Sequence, residues 1–421
     1  MKQTEKMKRC GMVLLFACLL IGNVVAQTPY GWRGPTRDGI YPENGLLKSW
    51  SASGPEQLWE TLDVGKGYSS PVIVGDRLYI TGMNEAENGE IFSAYTLDGK
   101  KIYSVEYGKP WTDSYPETRT TPAIDGDKAY VISGSGEIVC LNIADGSIVW
   151  KVDGGTTFGR KTGNWGTSEC PLVFDNKVIY TPSGDQTTMV ALNTQNGQVV
   201  WKTDPLGDTG AYVSPLLIRH NGKQQIVGST ASNVFGVNPE SGKIEWQFSE
   251  WGGNGPWANI APNTPLYKDG KIFFSHGYDI GGYMIQLNND LTSASLLWKT
   301  DALDTHHGGY VLMDGVIYGS NWLNNNSGNW VGIDWDSGAT KFENPWDANG
   351  KGSIVAADGM MIAYDERRGM VGLIKPSVEK FDVISQFRIT KGEGPHWAHP
   401  VVVNGTLFIR HGNALMAYKV K

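Results

Sequence analysis

Cysteine is scarce in this sequence. Four occur in 421 residues, and two of them, Cys10 and Cys18, fall in the N-terminal segment. Cys140 and Cys170 remain, too few for a disulfide framework, and neither belongs to a C-x-x-C zinc pattern or a C-x-x-C-H haem site. Two small apolar core thiols are expected, with a single bridge between them left open. Positive charge is short as well. With 36 Lys+Arg against 43 Asp+Glu the net charge is −7, which excludes the basic face of a nucleic-acid binder. Beyond residue 26 no apolar run approaches 18 residues, so no transmembrane helix is expected there. What is plentiful is glycine, 54 residues, and tryptophan, 16. That mixture points to tight turns between short aromatic strands, hence to an all-β chain.

The first residues read as a targeting signal. Lys2, Lys6, Lys8 and Arg9 form a basic start, residues 12–21 an apolar core, and Val24-Val25-Ala26 a cleavage site before Gln27. A lipoprotein box at Cys18 ranks lower, because Phe16 is bulky for it and apolar sequence continues past the cysteine. The expected organisation is a signal peptide over 1–26, an extended leader over 27–50 lying against the outside of the fold, and one domain over 51–421. Export to the periplasm or the medium follows.

An internal repeat organises that domain. Short polar stretches ending in proline recur about every 45–50 residues, at Pro71, Pro122, Pro171, Pro215, Pro265 and Pro400, with Tyr310 and Ile354 at the matching positions between the last two. Each is followed by a hairpin turn: Gly75-Asp76, Asp125-Gly126, Asp175-Asn176, Asn221-Gly222, Asp269-Gly270, Asp314-Gly315, Asp358-Gly359 and Asn404-Gly405. A later turn precedes an aromatic by four residues, as in Gly146 and Trp150, Gly197 and Trp201, Gly242 and Trp246, or Gly338 and Phe342. Four short strands per unit make a propeller blade, and eight units make an eight-bladed β-propeller. The last unit has room for only three strands. The segment 56–60, with Trp59, supplies the missing outer strand and closes the ring.

Residues 136–150, GEIVCLNIADGSIVW, resemble a pyrroloquinoline-quinone (PQQ) repeat. The chain from residue 27 onward resembles exported PQQ-like eight-bladed propellers, whose branches include quinoprotein alcohol dehydrogenases and the propeller lipoprotein that helps assemble outer-membrane β-barrels. The redox branch implies an adjacent-cysteine pair against PQQ, a stacking tryptophan, and Glu, Asn and Asp calcium ligands. No Cys-Cys dipeptide exists here, which counts against PQQ; a PQQ-dependent oxidoreductase stays as a further alternative and the cofactor stays open, a metal included. The assembly branch implies a non-enzymatic scaffold with envelope protein partners.

Antiparallel strand order sorts polar residues by face. Links between blades and loops between second and third strands share one face; the Asp-Gly hairpins occupy the other. Six of the seven histidines, all but His220, fall on the first face. The plainer reading is that such groups cap the channel mouth. The functional reading is an axial funnel that binds a small polar, carbohydrate-like ligand, with acid–base catalysis by His306, His307, His396 or His399 assisted by Glu169 and Tyr364. Arg119, Lys351 and Arg410 would hold an anionic group, Trp165, Trp322 and Trp397 would offer flat surfaces, and His276 and His411 would add ring donors. Strand alternation turns His306 from His307, and His396 from His399, to opposite sides. A metal would therefore need three histidines from different blades, with Glu169 as a carboxylate.

Overall fold

The computed structural model describes residues 30–250 and 260–421. The targeting signal expected over residues 1–26 lies outside them. Eight four-stranded antiparallel sheets span 72–108, 123–153, 172–202, 216–248, 266–300, 310–344, 352–388 and 401–419, numbered here as blades one to eight. Blade eight contributes three strands, and Gln57–Thr61 pairs antiparallel with its outermost one, Ala414–Lys419. The closing strand is thus the one expected from Trp59. The single short helix among the described residues is Gly154–Phe158, capped by Asp153.

Local chemistry explains the regularity. Asn221-Gly222, Asp269-Gly270, Asp314-Gly315, Asp358-Gly359 and Asn404-Gly405 all hold both residues at positive φ, the type I′ geometry that matches strand twist. Outer-strand tryptophans dock on the turn glycine of the following blade: Trp59 on Gly99, Trp150 on Gly197, Trp201 on Gly242 and Trp298 on Gly338. A side chain on those glycines would collide with the indole, so the pairing locks blade to blade. The indole N–H groups of Trp59, Trp150 and Trp201 donate to the Leu97, Thr194 and Pro239 carbonyls in the same docked turns. The residue before the repeated proline stitches the inner ends: Thr121 Oγ1 accepts from Ser70 N, Ser214 Oγ from Cys170 N, and Thr264 Oγ1 from Ser214 N.

The leader takes a different course from the one expected. Residues 30–41 do not lie on the outside; they run through the centre of the ring. Tyr30 bridges Ile124 of blade two, and Ile40–Tyr41 pairs in parallel with Ala356 and Ala357 on the innermost strand of blade seven. Arg33 is 3% exposed and donates to the Tyr310 and Ile354 carbonyls and to His399 Nδ1 at 2.9 Å. Arg37 donates to the carbonyls of Cys170, Pro171 and Pro215. The reason is physical. The short innermost strands start with carbonyls that no ladder satisfies, and a planar guanidinium with five donors can serve several at once. Gly309, at φ +67°, makes room: a Cβ there would lie 2.4 Å from Arg33 Nη1. Cys140 and Cys170 are both buried and unbridged, and Cys170 packs beside Arg37.

Candidate ligand site at the mouth of the ring

On the face of the inter-blade links, side chains from blades five to eight converge above the leader. His306 and His307 occupy the irregular link between blades five and six. Because that link is not a strand, alternation does not apply, and the two rings lie 4.4 Å apart, on one side, contrary to the expectation. His306 Nε2 is 2.9 Å from the Tyr278 hydroxyl, and its Nδ1 is 3.4 Å from Lys351 Nζ. Lys351, 2% exposed, forms a close ion pair with Glu366, itself buried. His307 Nε2 lies 3.3 Å from Glu366 Oε2 but off the line a hydrogen bond needs, and it is a buried nitrogen without a hydrogen-bond partner among the described residues. Burial, with Lys351 beside them, holds both imidazoles neutral: His306 well below the usual range and His307 down to about 3. Burial also raises the Glu366 carboxyl, an effect that Lys351 opposes.

Aromatic rings frame this cluster in a continuous arc. Trp397 stands 4.9 Å from both Tyr68 and Tyr115 and 5.1 Å from His307; Tyr278 stands 5.1 Å from His306 and 5.0 Å from Trp322. Trp322 and Trp397 are half-buried and Tyr115 is exposed, so one side of the arc meets solvent. Asp304 positions it, accepting from the backbone N–H of Trp322 and of Asp279; burial raises its carboxyl to about 7. Arg119 is engaged elsewhere: it donates to the Ser114, Tyr115 and Glu117 carbonyls and so shapes the loop that presents Tyr115.

The other expected site residues are not assembled with these. Glu169, between blades two and three, accepts from Thr181 N and Oγ1 and is raised by burial to about 8; the carboxylate beside the histidine pair is Glu366 instead. Trp165 packs on Tyr212, 6.0 Å away. Arg410 donates to the Gly65, Ser69, Thr81 and Gly412 carbonyls, and burial lowers it to about 9. His276 accepts from Ile260 N and faces the Gly277 carbonyl through Nδ1, its pKa lowered by burial to about 4. His399 receives Arg33 at Nδ1 and donates from Nε2 to the His307 carbonyl. His396 meets the Tyr364 hydroxyl at 2.5 Å and stacks 3.6 Å from His411. Both ring nitrogens of His411 lie 2.7 Å from carbonyls, those of Lys391 and Gly394. Tyr278 and Asp304 were not foreseen, because nothing in the repeat marks them. The backbone turns there at Tyr278-Asp279, two consecutive non-glycine residues at φ 63°.

Two concavities lie outside this cluster. One of about 490 Å³ follows the closing seam, lined among others by Ser51, Gln57, Phe387 and Tyr418; another of about 460 Å³ lies between Lys223, Glu240 and Asp290. Neither contains a histidine.

The ring count, the blade topology and the repeated turn chemistry define an eight-bladed propeller of the PQQ-repeat class, with one ring-lined mouth. A family model described as outer membrane protein assembly factor BamB matches residues 87–344, more than half the chain, and the chain belongs to that family. An uncharacterised protein of Rickettsia conorii is 22% identical over 353 residues, 78% of this chain and 76% of its own. The assembly factor BamB of Alkalilimnicola ehrlichii is 26% identical over 145 residues, covering 34% of this chain and 33% of its own length. Among solved structures, BamB of Moraxella catarrhalis is similar at a TM-score of 0.62 and 15% identity, covering 87% and 99% of the two chains. The quinohemoprotein alcohol dehydrogenase of Comamonas testosteroni is similar at 0.66 and 10%, covering 91% and 79%. At those identities the structural likeness carries the fold. Cys140 lies in a strand of blade two, Cys170 in the link that follows, and the two are not joined, so the adjacent-cysteine pair of the redox branch has no counterpart among the described residues. Among the described residues no helix is long and apolar enough to cross a membrane.

Proposed function

We propose that this chain is an exported propeller whose mouth binds a small polar, carbohydrate-like ligand against the aromatic arc. The observation that carries the reading is the juxtaposition of solvent-facing rings with the buried Lys351–Glu366 pair and the His307 nitrogen that lacks a partner among the described residues. Flat rings take the apolar faces of a sugar, while charged and imidazole groups take its hydroxyls. Neutral His307 offers a lone pair that can accept a hydrogen bond from such a hydroxyl, beside the Lys351–Glu366 pair. The test is a glycan panel measured by calorimetry against the native chain, His307→Ala and Trp397→Ala. Binding should fall in both variants, and binding unchanged in both would remove the assignment.

A second reading is favoured by the family match over residues 87–344: a scaffold that holds envelope protein partners, as the name of the assembly factor describes. It predicts that partners co-purify from the cell envelope and that substitutions at the mouth leave their capture unchanged.

A further inference from the structure

We propose that His306, His307 and Glu366 form a binding site for one divalent transition-metal ion of the zinc type. One ring nitrogen of each histidine and one carboxylate oxygen lie within 4.8 Å of one another. Two imidazoles and a carboxylate are the donor set of three-ligand zinc sites that keep a fourth position open. Donors bound to one ion at about 2.0–2.2 Å lie roughly 3.5 Å apart, so binding requires the rings and the carboxylate to close in on one another and Glu366 to turn from Lys351.

Two further observations point to a cation at this spot. The Nε2 of His307 is buried without a hydrogen-bond partner among the described residues, a state that costs free energy until something is bound there. A cation already stands in the site: Lys351 Nζ pairs with Glu366 and is 3.4 Å from His306 Nδ1, so that lone pair faces positive charge. Outside the donor set, the Tyr278 hydroxyl holds the other nitrogen of His306 and fixes the ring, the usual arrangement behind a metal-bound imidazole. Lys351 is then the built-in competitor. Its ammonium neutralises Glu366 when the metal is absent, and it must withdraw when a dication enters.

Calorimetric titration of the purified chain with zinc alone, and the visible absorption of a cobalt-loaded sample, test this without any sugar. A failed zinc titration and a failed glycan titration are therefore distinguishable. One ion per chain is expected. His307→Ala and Glu366→Gln should each weaken binding by at least about a hundredfold, since losing a ligand costs no less than losing the groups that orient it. Lys351→Met should tighten it by about tenfold by removing the competing charge. His220→Ala, on the opposite face, should leave it unchanged. Near-UV circular dichroism identifies any variant that fails to fold, and Glu366→Gln preserves shape should His307→Ala do so. Absence of one-to-one binding in both the native chain and Lys351→Met overturns the proposal, as does binding that survives His307→Ala and Glu366→Gln.

Discussion

Six histidines share one face of the ring, yet they fall into two groups with opposite chemistry. His276, His396, His399 and His411 are buried, and each is engaged through its ring nitrogens by backbone carbonyls or N–H groups, a tyrosine hydroxyl or Arg33. His306 and His307 are adjacent and only half-buried, and His307 keeps a nitrogen without a partner among the described residues. The first group replaces missing backbone partners where strands end; the second is placed beside a buried ion pair and an open ring of aromatics. Position in the repeat makes all six look alike. Only hydrogen-bond satisfaction separates those that hold the fold from those free to do something else.

The largest effect expected from this division is on stability. His399→Ala removes an acceptor from the buried Arg33 guanidinium and a ring packed 5.1 Å from Trp32. A charged donor left short of a partner costs roughly 2–3 kcal/mol. His307→Ala removes a nitrogen that no described residue bonds, so its cost is expected to stay within about 1 kcal/mol. Urea unfolding of the two variants reads this directly as a difference in midpoint. Equal losses would erase the distinction, and a larger loss for His307→Ala would reverse it.

Acidity acts on the fold-holding group and on Glu169 in opposite senses. Burial lowers His276 to about 4 and His396 to about 3, so folding favours their neutral forms. The unfolded chain takes up these protons first, near pH 6.5. Their contribution is therefore complete above about pH 6.5 and lost as pH falls towards 4 and 3. Glu169 runs the other way. Raised by burial to about 8, it stays protonated in the fold while the unfolded group ionises near 4.5, so its contribution is present below 4.5 and lost as pH climbs to 8. Thermal unfolding from about pH 4 to 8 should show Glu169→Gln gaining on the native chain steadily toward the alkaline end, with no gain at the acid end. A flat difference across that range would mean Glu169 is ionised in the fold and outside this scheme.

How much of this the amino-acid order discloses depends on whether a feature repeats. Trp150, Trp201 and the Asp-Gly hairpins recur with the blade period, so the ring, its closure by Trp59 and the packing role of those tryptophans are readable from periodicity. The mouth is built from what does not recur. Arg33 and Arg37 lie in a leader with no repeat of its own, and their partners Tyr310, Ile354, Cys170 and Pro215 are between 133 and 321 positions away. No local pattern foretells that such a segment threads the axis. Glu169 looks equivalent to a funnel carboxylate because it precedes a repeated proline; Thr181 captures it locally, and Glu366, from a second-to-third-strand loop, reaches the histidine pair instead. Alternation separates His306 from His307 only on the premise that both lie on a strand.

The smallest effect tests the division at its boundary, where the two groups are joined through Glu366. Its side chain pairs with Lys351 and lies beside His307, while its backbone carbonyl accepts from His396 N. Tyr364→Phe deletes only the hydroxyl that meets His396 Nδ1 at 2.5 Å and donates to the Arg410 carbonyl, and it keeps the ring that fills the core between blades seven and eight. Each buried hydrogen bond of this kind contributes about 1 kcal/mol and the hydroxyl makes two, so stability should fall by about 1–2 kcal/mol. Ligand and metal binding should not change, because Tyr364 acts through His396 and the His396 ring stacks on His411, away from the His306–His307 pair. If zinc or glycan binding instead falls with Tyr364→Phe while stability holds, the hydroxyl reaches the mouth through Glu366, and the two groups of histidines are one network.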